Sequence, residues 1–183
     1  MKTKTHIGNV TIVLNKRSES AVICTALVLK APKSKADSKR KRKRVGYGLW
    51  VPPGGATEAF DKSQKHAAQR ELWEETGISL PLKTFCKVGV LKGFIGSTVK
   101  PLWIVHLYLA KTFGPAMKLI PGPGLLKAEW FLVSKLPFDR MLTGDKDWIP
   151  RIIKGEKLLV QVFSTGETNA IKTWSIKKVR SFN

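Results

Sequence analysis

Cysteine is nearly missing from this chain: the two present, Cys24 and Cys86, lie far apart and belong to no CxxC or Cys/His ligand pattern. That excludes a disulfide framework and a zinc centre, and a reducing compartment is expected. Long apolar runs are missing too. The longest, residues 21–29, is too short to cross a bilayer, and it lies too far into the chain and lacks the flanks to act as a secretory signal. A soluble, cytoplasmic protein with no membrane partner is expected. No internal repeat is present. The 183 residues, 43% hydrophobic, suffice for one globular domain with a real core and would be crowded for two. Acids are the third shortage: 13 Asp and Glu stand against 33 Lys and Arg, a formal charge of +20 that attracts polyanions.

Three of those few acids fall within five residues. Glu71, Glu74 and Glu75 lie in the stretch GGATEAFDKSQKHAAQRELWEETGI, residues 54–78. Asp61 followed three positions later by Gln64 reads as a capping box, Ala67, Ala68 and Leu72 favour helix, and Gly77 is the expected left-handed stop. A helix is therefore predicted over residues 63–76. At about 100° per residue, Arg70, Glu71, Glu74 and Glu75 share an arc of roughly 140°, while Leu72 and Trp73 are predicted to face a core. Carboxylates three and four positions apart repel, and Arg70 neutralises only part of that charge through Glu74 at i+4, so the acidic face needs a further cation. Oxygen ligands without Cys or His suit magnesium, or manganese in its place, and magnesium is commonly shared between carboxylates, waters and the phosphates of a substrate. Gly54 and Gly55, just upstream, let the backbone come close to that ion or to a phosphate.

Elsewhere the pattern is of short strands. Residues 10–14 and 21–29, rich in Val, Ile and Thr, read as two strands joined by a polar turn at residues 15–20. Residues 85–91, 102–109, 129–133, 158–163 and 173–179 read as further strands, with a hairpin loop at 92–101 and a Pro/Gly-rich loop at 113–124. A second helix is expected from Asp147 through Lys154, with Pro150 in its first turn and Gly155 as its stop. Strands on both sides of a central helix imply an α/β layered domain with a mixed sheet. The run KSKADSKRKRKR, from Lys33 through Arg44, has eight bases and one acid and cannot bury itself. It reads as a solvated insertion, as a nonspecific electrostatic contact for nucleic acid, or as a nuclear-targeting signal.

Gly55, Arg70, Glu71, Leu72, Glu74, Glu75, Gly77 and Ile78 resemble the Nudix box: a glycine, a spacer with a glutamate, then Arg-Glu-aliphatic-x-Glu-Glu-x-Gly-aliphatic. The stretch YGLWVPPGG, residues 47–55, is similar to the Trp-x-x-Pro-Gly-Gly entry common in that family. The resemblance implies the Nudix fold, a mixed β-sheet sandwiched between helices. It also implies a magnesium-dependent hydrolase with Glu71, Glu74, Glu75 and Gly55 at the metal and Arg70 orienting Glu74. The spacer here is one residue longer than the family's. Counting forward puts Asp61 at the spacer glutamate, and counting back puts Lys62 there, with the extra residue placed at Ala59 and Phe60.

The likeness extends past the box to the family's branch of oxidised-purine nucleoside triphosphatases, through Lys87-Val88-Gly89, Val105-His106, Leu136-Pro137-Phe138, Met141, Asp145, Trp148, Pro150 and Lys157-Leu158. It departs where that branch grips its base. An asparagine, a pair of aspartates and a tryptophan are replaced by Val51, by Gly144 with Asp145, and by Leu142, so a strict preference for 8-oxo-dGTP is not carried over. Trp103 either lines a base pocket or packs in the core. A fourth metal-binding glutamate of some members aligns with Leu125, with Glu129 four residues further on, and His106 reads as a hydrogen-bonded strand histidine and not a catalyst. The resemblance thus implies hydrolysis of nucleoside triphosphates to a monophosphate and pyrophosphate, with Gly54, Gly55, Val51, Trp103, Leu142 and Asp145 at the substrate. Removal of a 5′ cap or pyrophosphate from RNA, and a catalytically weak nucleic-acid-binding module, stay open as alternatives.

Overall fold

The computed structural model describes residues 5–16, 23–31, 46–96, 98–164 and 171–182, and the basic run at 33–44 lies outside them. The described residues form eight strands, β1 (His6–Lys16), β2 (Ile23–Lys30), β3 (Trp50–Val51), β4 (Phe85–Ile95), β5 (Trp103–Phe113), β6 (Leu125–Leu132), β7 (Leu158–Ser164) and β8 (Ile171–Lys178). Helix α1 (Gln64–Thr76) separates β3 from β4, and α2 (Asp145–Ile153) separates β6 from β7. The strand order is β3-β2-β1-β5-β4-β7-β8, with β6 on β2. The sheet is mixed: β1 runs parallel to β5 and β4 to β7, and the other neighbours are antiparallel.

The parallel pair β1–β5, in register from His6↔Trp103 to Lys16↔Phe113, is the spine. Because successive side chains point to opposite faces, it feeds two cores. Ile12 and Leu14 join Leu107 and Leu109 against Trp148, Ile149 and Ile152 of α2. Val13, Tyr108 and Ala110 meet Ala68 and Leu72 of α1. The helices therefore sandwich the sheet, as the resemblance implies. Leu72 is fully buried, and truncating such a side chain to Ala costs about 2–5 kcal/mol.

Several boundaries move. Asn15 and Lys16, expected in a turn, extend β1 opposite Cys24 and Ile23, and residues 92–95, expected in a loop, extend β4 opposite β7. Phe113 closes β5, β6 begins at Leu125, and Val133 starts a 3-10 turn. Where a strand lengthens, a neighbouring strand supplies the ladder partners that local composition does not reveal. Helix α2 starts at Asp145, two residues before Asp147, from a left-handed Gly144 at φ 97°. Pro150 consequently sits in the helix body, not its first turn.

Candidate active site

Helix α1 is capped as its sequence demands at one end and differently at the other. Gly77 takes φ 72°, and its N–H donates to the Trp73 carbonyl at 2.8 Å. At the N-terminus the cap is Ser63, whose hydroxyl accepts from the His66 N–H at 3.3 Å, and not the Asp61–Gln64 box. Asp61 is engaged elsewhere. Its carboxylate accepts from Arg70 Nε at 3.0 Å, from Arg70 Nη2 at 2.9 Å and from the Glu58 N–H at 2.9 Å. That bidentate fork holds the Asp61 carboxyl below the usual carboxylate range. Asp61 is thus tied by Arg70 to the acidic helix, Ala59 and Phe60 form a turn just before it, and Lys62 is exposed.

Arg70 is the hub. Besides Asp61 it donates from Nη2 to the Ala56 carbonyl at 3.0 Å and from Nη1 to Glu71 at 2.9 Å and Glu74 at 2.8 Å, and its guanidinium lies 5.4 Å from the centre of the Phe60 ring. These partners, Asp61 foremost, raise its pKa. Glu75 reaches back to the glycine loop, accepting from the Gly54 N–H at 2.8 Å, with Lys30 Nζ at 3.9 Å. Burial raises the Glu71 and Glu75 pKa values, in Glu71 against Arg70 and in Glu75 against Lys30 and the Gly54 amide. Glu74 is the most exposed of the three.

The glycine loop is fastened to β1 like an extra strand. Asn9 N–H donates to the Gly55 carbonyl at 2.9 Å, Thr11 N–H to Pro53 at 2.8 Å and Thr57 N–H to Ile7 at 3.0 Å. Glycine is demanded at the first position and matters at the second: a Cβ on Gly54 would run into the Asn9 carbonyl, and one on Gly55, at 2.5 Å from the Glu71 carboxylate, would push that side chain aside. The Gly55 carbonyl also accepts from Asn9 Nδ2 at 3.3 Å, so both its lone pairs are turned to β1. Asn9 was not singled out by the sequence. Asn9, Thr11 and Asn15 alternate with Val10, Ile12 and Leu14 as though facing water, yet all three are buried.

The donor set fits a hard divalent cation in chemistry: oxygens only, like-charged, partly desolvated and under a close backbone. Among the described residues no three such side chains converge as a metal-holding group. In the conformation seen, Arg70 Nη1 is shared between Glu71 and Glu74.

The residues matched to the base pocket come from separate elements. Val51 lies on β3 opposite Val28 and is buried, and Trp103 opens β5 with its ring over Gly93. Leu142 accepts from the Asp145 N–H at 3.0 Å. Asp145 is buried at the start of α2, where one carboxylate oxygen accepts from the Trp148 indole N–H at 3.0 Å and the other has no partner. Burial pushes its pKa up to about 7, against the Trp148 bond. Trp73, expected in the core, is 59% exposed, because it projects about 100° around the helix from Leu72, toward His66 and Gln69. With Phe60, Asp61, Lys62, His66, Gln69, Arg70 and Ser79 it lines an open cleft of about 450 Å³. Glu129 is exposed and pairs with Lys127 at 3.5 Å. His106 lies on β5 beside Asn9, its Nδ1 buried without a partner, and burial lowers its pKa. No helix among the described residues is long and apolar enough to cross a membrane.

The layered fold and the glycine loop over an acidic helix define the class, a Nudix-fold protein. Residues 11–152 match the NUDIX domain. The chain is 31% identical over 122 residues to the oxidized purine nucleoside triphosphate hydrolase of Danio rerio, covering 65% of this chain and 72% of that protein. The mutator MutT protein of Bacillus halodurans superimposes with a TM-score of 0.62 at 20% identity, over 93% of this chain and 97% of that one. The MutT/nudix family protein of Enterococcus faecalis does so with a TM-score of 0.53 at 20% identity, over 70% of this chain and 44% of that one. At such identities the structural likeness is one of fold. The chain belongs to the NUDIX family, and as such is a hydrolase in that general sense.

Proposed function

We propose that this protein is a magnesium-dependent hydrolase that cleaves nucleoside triphosphates to a monophosphate and pyrophosphate, in one domain bearing a basic insertion at residues 33–44. The observation that carries this reading is the Arg70 hub: one guanidinium ties Asp61 and the loop carbonyl of Ala56 to Glu71 and Glu74. Glu71, Glu74 and Glu75 would hold the ion, with the glycine loop beside them. When bound, such an ion neutralises charge on phosphate oxygens and makes a bound water more acidic. Arg70 fixes the rotamers of Glu71 and Glu74, Gly55 leaves the Glu71 carboxylate room, and one of the three glutamates accepts the proton of the attacking water. The positive charge of the molecule draws a polyphosphate in.

Substrate choice follows from the other end. The Danio rerio relative is named for oxidised purine nucleoside triphosphates. Here Val51 and Leu142 offer no hydrogen bond, and Asp145 is the polar group that remains. A missing bidentate contact in a closed site is worth about 1–3 kcal/mol, or roughly ten- to a hundredfold. Nucleotide-pool sanitation by a broader triphosphatase, one that takes 8-oxo-dGTP along with ordinary nucleotides, is the expected activity. A panel of ordinary and oxidised triphosphates, dinucleotides and 5′-triphosphate RNA with magnesium tests this. Turnover confined to RNA 5′ ends would replace this reading with RNA 5′ processing. A preference above about a thousandfold for oxidised over normal dGTP, too large for one carboxylate, would mean that other residues, Trp103 first, read the base.

A further inference from the structure

The end of the sheet where β4 and β7 begin and β8 finishes carries a concentration of charge that the nucleotide site does not use. Lys87 stands near the start of β4, Lys157 leads into β7, and Lys177 and Lys178 close β8, opposite Leu159 and Leu158. The segments are stitched together. Val179 N–H donates to the Lys157 carbonyl at 2.8 Å, Lys157 Nζ donates to the Arg180 carbonyl at 3.4 Å, and Lys87 Nζ lies 5.3 Å from the Phe182 ring centre. Lys154 at the C-terminal end of α2 joins them, since Glu156 feels Arg151, Lys178 and Lys154 together. Glu156 is already satisfied by Arg151, at 2.8 and 3.1 Å. No ion pair is found for Lys87, Lys154, Lys157, Lys177, Lys178 or Arg180 among the described residues.

We propose that this sheet end is a docking surface for the phosphate backbone of a nucleic acid, separate from the nucleotide site. Two features select that partner. Of the exposed large hydrophobic side chains, Phe60 and Trp73 belong to the α1 side and Phe113 ends β5, two strands from β7, while the half-buried Phe182 is covered by Lys87, so the lysines of β7 and β8 surround no apolar centre of the kind a protein interface depends on. Phosphate contacts need only cations and N–H donors. Adjacent strands about 4.8 Å apart place the lysines of β4, β7 and β8 across about 10 Å. Along the axis of a duplex the charges of one strand recur every ~3.4 Å, so a row of this width faces more than one phosphate. Strands β2 and β3 stand toward the opposite end of the strand order from β7 and β8.

The test uses the full chain with Lys154, Lys157, Lys177 and Lys178 changed to Gln, which keeps the side-chain length. Affinity for a fluorescent 20-nucleotide RNA, and for DNA of the same sequence, is measured against NaCl concentration. Each lost contact lowers the slope of log K against log salt by about 0.7 for a single strand, so a drop of between two and three is expected, with melting temperature and nucleotide hydrolysis unchanged. A second variant with the bases of residues 33–44 replaced by Ser separates the two surfaces. The proposal is overturned if the Gln variant keeps the wild-type slope. It is equally overturned if the wild-type chain binds neither oligonucleotide while binding anionic phosphatidylserine vesicles, which would make the patch a lipid contact.

Discussion

Arg70, Glu71, Glu74 and Glu75 come from six consecutive residues of one helix, whereas Val51, Trp103, Leu142 and Asp145 come from β3, β5 and the turn into α2. The first group is densely bonded, Arg70 to Glu71 and Glu74, and Glu75 to the Gly54 N–H. The second is sparse: one buried carboxyl with a single side-chain bond, set among apolar neighbours. Helical period alone brings the former together, so it can be strongly specified by a short motif. The latter depends on how distant strands pack, which no short motif records.

The largest break in this contrast is expected at the acidic helix, the proposed phosphate end. Glu74→Gln keeps shape while removing a charged oxygen ligand, and kcat/KM with saturating magnesium should fall by about a hundredfold or more. Its melting temperature should hold or rise slightly, because like-charge repulsion is relieved. Full turnover with unchanged metal dependence would sink the assignment of Glu74.

Arg70→Lys tests the hub through both rate and stability. A lysine cannot reproduce the fork on Asp61 while reaching Glu71 and Glu74, so the variant should lose about 2 kcal/mol in urea unfolding and roughly tenfold in rate. If the loss were confined to stability, Arg70 would be a structural brace alone.

Asp145→Asn addresses the base end and should be the mildest. The Asn oxygen still accepts from the Trp148 indole, so folding is preserved, while purine discrimination should change by about tenfold. The pH dependence has a definite sign. With a folded pKa of about 7 against a reference of 3.8, the native state binds more protons than the unfolded one in between, so Asp145 costs stability progressively as pH rises through that window. The melting temperature of the Asn variant should therefore gain on the wild type between about pH 4 and pH 7. A constant gap would show that Asp145 ionises normally.

Much of the phosphate end was legible because its signals are local. Ser63 to Gly77 bound the helix, and the spacing of the glutamates sets their face without reference to anything else in the chain. The errors there were also of one kind. Asp61 looks like half of a capping box until Arg70, nine residues on, is seen to claim it. Trp73 looks like core until the helix is docked on Ala68 and Leu72, which leaves no room for a second apolar flank.

The sequence by itself determined the acidic helix, its left-handed stop, the glycine pair and the charge of the molecule, since each rests on backbone preference or spacing within a few residues. Tertiary structure alone decided that Asn9, Thr11 and Asn15 are buried, because α1 covers the face of β1 that their alternation offers to water. It decided that the glycine loop pairs with β1, and that Lys87, Lys157 and Lys178, scattered over some ninety positions, share one end of the sheet. Strand pairing joins segments whatever their separation along the chain, and no period in the sequence records which edge will meet which.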